Sequence, residues 1–222
     1  MQVPSSQATA LISSFGAFLT IAIHTILYHR SLYPRSSFLL ARAYNLPVRQ
    51  SRHPAVCGWV RDAVAAVTLE LRRAAVRRVV LSVHEPGRHR LVLERWVFDL
   101  DGFPAESLPP PPGEMMGLPL EAAEEAGVVN WDDVHQSWRA ALHALALRAD
   151  MLPPTPEDCS FALALELRLD AKPPTRHPQL WIPSEPQLQP PSGPALPTGS
   201  TVPVRSVQAG PMFFECWLER AE

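Results

Sequence analysis

The sequence predicts an α+β domain in which antiparallel strands pack against helices, and three observations carry this. The chain has 222 residues and 46% hydrophobic content, enough for one sizeable core. Its periodic segments run helix, helix, hairpin, helix, strand, long loop, terminal strands, with no internal repeat. Its 25 prolines are clustered between those segments, so ordered elements are joined by stiff, non-helical connectors.

The first helix runs to about Tyr28. "TALISSFGAFLTIAIHTILY" is nearly long enough to cross a bilayer. It also carries Ser13, Ser14, Thr20, His24 and Thr25, and no basic segment precedes it. Leu11, Phe15, Phe18, Leu19, Ala22, Ile26 and Leu27 repeat at helical spacing, which predicts a buried central helix of a soluble domain. Tyr33-Pro34 blocks its continuation.

"LARAYNLPVRQSRHP" then reads as an extended crossing. Tyr44 and Leu46 are expected to pack inward, Pro47 to hold the path, and Arg42, Arg49 and Arg52 to stay in solvent. His53-Pro54 starts the second helix, with proline where its missing donor costs nothing. Val56, Val60, Ala63, Val64, Val67 and Leu71 form its stripe, and Arg72 and Arg73 suit its C-terminal dipole.

"VRRVVLSVH" and "LVLERWVFDL" form a hairpin, with Pro86-Gly87 at the centre of a type II turn. Residues from about 102 to 130 are proline-rich, then acidic, and predict a flexible insertion. The third helix, "WDDVHQSWRAALHALALRA", has Asp132 and Asp133 in its first turn. Trp131, Val134, Trp138, Ala141, Leu142 and Leu145 form its stripe. In "CSFALALELRLD", Phe161, Leu163, Leu165, Leu167 and Leu169 alternate with polar or small residues as a strand. Residues 171–200 have no periodicity, and "VPVRSV" and "FFECWLER" close the chain as strands. A connection this long is functional or disordered.

Composition excludes several function classes. A net charge of −2 gives no global case for binding nucleic acid or an anionic membrane. Cys57, Cys159 and Cys216 are odd in number and far apart, against a secreted disulfide scaffold and for a reducing interior, cytosol or nucleus. There is no G-x-S-x-G elbow, Walker loop or G-x-G-x-x-G fingerprint, so no enzyme or cofactor is expected. His53 and Cys57 are one helical turn apart but lack a second ligand pair, and "HEPGRH" reads as a solvated hairpin tip, so no metal is expected. Arg72, Arg73, Arg77, Arg78, Arg88 and Arg90 cluster, but Glu70, Glu85 and Glu94 are interleaved, which favours a solvated face. Six tryptophans without an active-site motif point to partner contacts. Trp59 lies at the edge of its helical stripe and suits either core flank or peptide contact. Trp181 is expected to anchor the long loop.

"FLTIAIHTILYHRSLYP", "AYNLPVRQSRHPAV", the helix beginning "CGWVRDAV", and "LERWVFDL" together resemble the HORMA-domain family. Within it the likeness is greatest to the accessory, non-catalytic subunits of translesion DNA polymerase zeta, relatives of the mitotic-arrest-deficient checkpoint proteins. It runs from about Leu11 to Asp101, resumes through the third helix and "CSFALALEL", and returns at the C-terminus.

The resemblance implies a single HORMA domain over 1–222, with a core at about 9–170 and a C-terminal safety belt at about 171–222. A partner peptide would add as a strand beside "SFALALELRL", involving Phe161, Leu163 and Leu165. Trp59 would pack on the peptide's proline, and Trp181 would cover it. Arg139 matches a position used for HORMA-to-HORMA pairing, although a solvated helix arginine is an equal reading. Thr201, Phe214 and Cys216 stand at positions that bind a second partner, and Phe214 and Cys216 depart from the residue types expected there.

The implied function is a nuclear adaptor that clamps a proline-containing peptide of the polymerase zeta catalytic subunit. It would bridge to the C-terminal domain of the inserter polymerase in DNA damage tolerance, touching DNA only indirectly. The alternative is a spindle-checkpoint or meiotic chromosome-axis HORMA adaptor.

Overall fold

Helix α1, Ser5–His29, is the centre of a computed structural model that describes residues 5–87, 91–104, 129–174, 181–182 and 200–220. By length and composition α1 could cross a bilayer. Here all seven expected stripe residues, and also Ala8, Ile12 and Ile23, have no exposed surface. That apolar arc is wider than one helical face because neighbours cover α1 on several sides.

The segment after α1 departs from expectation. Instead of an unpaired crossing it folds as an antiparallel ribbon, β1 (Phe38–Ala43) with β2 (Leu46–Ser51). Tyr44 and Asn45 make the two-residue turn with φ of 50° and 59°, both left-handed as a type I′ hairpin requires. No glycine announces this turn, and Pro47 masks the second strand; a proline is tolerated on a two-stranded ribbon because each strand has a free edge. Tyr44 and Leu46 do pack against the core. Arg42 and Arg52 are exposed, whereas Arg49 lies over the Tyr28 ring at 4.6 Å.

Helix α2, Pro54–Arg72, starts as expected, with His53 extended before Pro54. It buries Val56, Val60, Val64, Val67 and Leu71 against α1. Helix α3, Trp131–Asp150, is capped by Asn130, whose side chain accepts from the Asp132 amide at 3.1 Å. It buries Val134, Trp138, Ala141, Leu142 and Leu145. Trp138 stacks on Phe18 of α1, centroids 4.5 Å apart, and donates its indole N–H to Ser14 Oγ at 2.9 Å.

The main sheet has five antiparallel strands in the order β5-β3-β4-β7-β6. These are β3 (Val76–His84), β4 (Val92–Asp99), β5 (Ser160–Leu167), β6 (Ser200–Ala209) and β7 (Met212–Arg220). Gly87, at φ 120°, turns the β3–β4 connection, and residues 88–90 lie outside the described set. The inner face, with Val79, Leu81, Trp96, Phe98, Phe214 and Leu218, packs on the helices. β5 stops at Leu167 and Leu169 is fully exposed, because the Arg168 amide bonds Ala75 O and the chain turns away.

The outer face carries an ionic ladder across four strands. Arg78 bonds Asp99 (2.7 Å) and Glu166 (3.2 Å), while Arg95 bonds Glu166 (3.0 Å) and Glu219 (2.7 Å). Val80 and Val97 are buried on that face, where Trp217 stands opposite Val97 and the Arg78 guanidinium lies over the Trp217 ring at 5.3 Å.

The expected flexible insertion, about 102–130, has residues 105–128 outside the described set. Of the expected belt, residues 171–174, Trp181, Ile182 and the β6–β7 hairpin through Arg220 are described.

Candidate peptide-binding edge

β5 is an edge strand, paired on one side with β3 and free on the other among the described residues. Its hydrogen-bonding parity decides what that edge offers. The Arg168 amide and the Ala162 carbonyl both turn toward β3, to Ala75 O and Ser82 Oγ. In an antiparallel strand these directions alternate. The N–H and C=O groups of Phe161, Leu163 and Leu165 therefore point away from β3. Their side chains lie on the inner face, half-buried against the core. The residues able to bond an added strand are thus those whose side chains line the inner face beside it.

Next to Phe161 lies a groove of about 480 Å3 lined by Leu32, Tyr33, His53, Val56, Trp59 and Cys159, among others. Trp59 projects from the first turns of α2 and is 41% exposed. Its ring stands edge-to-face on Phe161, centroids 4.9 Å apart, and Tyr33 approaches the same ring at 6.2 Å. This is an aromatic, open, largely uncharged seat suited to an apolar or proline side chain. Burial and the neighbouring Glu85 carboxylate push the Cys159 thiol pKa up, which disfavours its thiolate.

The sequence-predicted residues divide clearly. Trp59 and Phe161 meet, and Leu163 and Leu165 extend the same strand. Trp181 is half-buried against the core, while Ile182 beside it is exposed. Arg139 is exposed on α3. The surface expected at Thr201, Phe214 and Cys216 is not formed as such, because only Thr201 is exposed. Phe214 has no exposed surface and joins Phe15, Phe18 and Trp138, and Cys216 is buried in the same core with its thiol pKa raised by desolvation. On β7 these two side chains alternate inward, and Phe213 and Glu215 take the outward positions.

Pattern reading missed Leu32, Tyr33 and Cys159 in the groove, since they come from loops without periodicity. It also missed the buried pair Arg30–Glu94. Arg30 Nη2 lies 2.6 Å from Glu94 Oε1, and both side chains are 2% exposed. Arg30 also donates to the carbonyls of Ala149 and Pro153, tying the end of α1 to β4 and to the end of α3. A glutamate at Glu94, on the strand face it shares with the apolar Val92, Trp96 and Phe98, was its signal. Within the arginine cluster Arg73 pairs with Glu70 at 2.8 Å and Arg78 with Asp99 and Glu166, Arg72 and Arg77 are exposed, and Arg88 and Arg90 lie outside the described residues.

Comparison with known proteins agrees with this architecture. The HORMA domain family model matches residues 14–203. The chain is 32% identical over 209 residues to a DNA polymerase zeta processivity subunit of Schizosaccharomyces pombe, covering 94% of this chain and 92% of that protein. Among solved structures, a chain of a mitotic checkpoint complex superposes with a TM-score of 0.70 at 18% identity, covering 95% of this chain and 98% of that one. C. elegans HTP-2 bound to an HTP-3 closure motif superposes at 0.62 with 16% identity, covering 94% and 86%. These last two likenesses concern the fold. With the family model spanning most of its length and a relative matching it nearly end to end, this chain belongs to the HORMA domain family.

Proposed function

We propose that this chain is a non-catalytic adaptor that captures a proline-containing peptide of the DNA polymerase zeta catalytic subunit. The peptide adds as a strand to the free edge of β5. Its main chain bonds Phe161, Leu163 and Leu165, and its apolar or proline side chain seats beside Trp59. The C-terminal segment of about 171–222, which ends in β6 and β7, would hold it, with Trp181 as the anchor. One observation carries this reading: on β5 the main-chain groups free for an added strand belong to Phe161, Leu163 and Leu165, whose side chains lie on the inner face, and Phe161 lines the groove beside Trp59. Similarity to a DNA polymerase zeta processivity subunit of Schizosaccharomyces pombe supports that polymerase as the source of the peptide.

By the same reading the protein works in the nucleus in DNA damage tolerance and bridges to the inserter polymerase's C-terminal domain. Exposed residues of β6 and β7, Thr201 among them, would serve there rather than the buried Phe214 and Cys216. Arg139, exposed on α3, would serve pairing with a second HORMA domain.

Pull-down and titration with the linker peptide of the polymerase zeta catalytic subunit test the clamp. Trp59→Ala and Trp181→Ala should each weaken binding by roughly 2–4 kcal/mol, as hot-spot aromatics do. Unchanged affinity in the double variant would sink the assignment. Co-purification from cells of checkpoint or meiotic-axis proteins in place of the polymerase would favour the checkpoint or chromosome-axis role.

A further inference from the structure

The end of the C-terminal strand carries a charge code. In the β4–β7 register Glu94 faces Arg220 and Arg95 faces Glu219, so each acid meets a base. On the outer face Arg95 Nη1 lies 2.7 Å from Glu219 Oε2. On the inner face Arg220 Nε lies 4.0 Å from Glu94 Oε1, buried and without a hydrogen bond of its own. The Glu94 carboxylate is already held by the Arg30 fork, at 3.0 and 2.6 Å.

This code does what apolar alternation cannot. Phe214, Cys216 and Leu218 face inward, so a one-residue slip would turn them all to solvent. A two-residue slip keeps them inward and is not penalised by that pattern. Sliding β7 one way by two places Arg220 opposite Trp96, inside the apolar face, and Glu219 opposite Val97. Sliding it the other way places Leu218 opposite the buried Glu94. The first slip strands the Arg220 charge at low dielectric, which is strongly unfavourable, and the second gives up the Arg220–Glu94 and Arg95–Glu219 pairs while Arg30 still holds Glu94. Arg95 also reaches Glu166 on β5 at 3.0 Å, so one side chain spans from the terminal strand to the strand with the free edge.

We propose that Glu94, Arg95, Glu219 and Arg220 form a latch that seats the terminal strand in one register on β4 and so positions the peptide-binding edge. They are positioning residues. The hairpin they hold sits at the far side of the sheet and anchors the connection that leaves β5 at Leu167 and re-enters at Ser200. This role in capture rests on the peptide-capture reading; the seating of β7 does not.

The test is Glu219→Arg combined with Arg220→Glu. The composition and net charge are unchanged, but both cross-strand pairs become like-charged. Two quantities are read on the full chain: amide hydrogen exchange across residues 212–220 relative to β3 without peptide, and dissociation of the linker peptide of the polymerase zeta catalytic subunit. Exchange in β7 should accelerate on the order of tenfold and peptide release likewise, from two like-charged cross-strand pairs. Equal β7 exchange in the swapped variant and wild type overturns the latch. Faster exchange with unchanged peptide release overturns its role in capture. If wild type binds no linker peptide, the capture reading fails and the exchange data still decide the seating. Should the swap not fold, Glu219→Gln removes only the outer pair and must still accelerate β7 exchange at low salt. In about 1 M salt, which shortens screening to about 3 Å, wild type should approach Glu219→Gln; no convergence overturns the outer pair's part.

Discussion

Trp59 of α2 and Phe161 of β5 meet edge-to-face, with centroids 4.9 Å apart and 86° between ring planes. They are far apart in sequence, and their contact places the second helix directly beside the free edge of the sheet. Trp59→Ala should therefore separate two properties. Folding stability should fall by only about 0.5–1.5 kcal/mol, the worth of an aromatic pair, since the ring is already 41% exposed. Peptide affinity should fall more. A chemical-denaturation curve beside a binding titration measures the split, and an equal loss in both would mark Trp59 as core flank alone.

Arg30 and Glu94 form a buried pair with both side chains 2% exposed. Removing one partner leaves an uncompensated charge. Arg30→Met is expected to cost roughly 3–5 kcal/mol, seen as a lower urea midpoint. Arg30→Met with Glu94→Leu should be milder than Arg30→Met alone. A double variant worse than the single would show that Glu94 still contributes through Arg220 once Arg30 is gone.

Gly16 of α1 faces Val64 and Thr68 of α2. A Cβ there would meet Thr68 Cγ2 at 2.8 Å, with Val64 Cγ1 at 3.5 Å. Gly16→Ala should destabilise by about 1–3 kcal/mol through overpacking, despite alanine's better helix propensity. Thr68→Ser removes the obstructing methyl and should restore most of the loss. Thermal melts of the two single variants and the double variant decide it; additive losses would place the strain elsewhere.

His24 is 4% exposed, and burial lowers its pKa below the ordinary 6.5. The unfolded chain therefore takes up this proton first as pH falls. Its contribution to stability is present above about pH 6.5 and is lost as pH drops below that value. In His24→Gln this slope should be shallower between neutral and mildly acid pH. Melting temperatures measured across that range for both proteins give the difference, and parallel curves would exclude His24 as its source.

Much of the fold was readable in advance because its helices and inner strands bury regular apolar arrays. The α1 stripe, the α2 start at Pro54 and the β5 alternation through Leu167 each follow from local periodicity. The β1–β2 hairpin was not readable, since Tyr44-Asn45 must adopt left-handed geometry without a glycine to signal it. Phe214 and Cys216 illustrate the same limit. Their place on a strand was evident, but which face of that strand is inward depends on what lies across it.

The sequence by itself determined the class of fold, the helices and strands of the core, and Trp59 at the edge of a helical stripe. Tertiary structure alone decided that β5 is an edge, that its free main-chain groups coincide with Phe161, Leu163 and Leu165, and that Glu94–Arg95 faces Glu219–Arg220. The physical reason is range. Periodicity is set by neighbours within a few residues, whereas strand order and charge pairing join segments separated by many tens of residues.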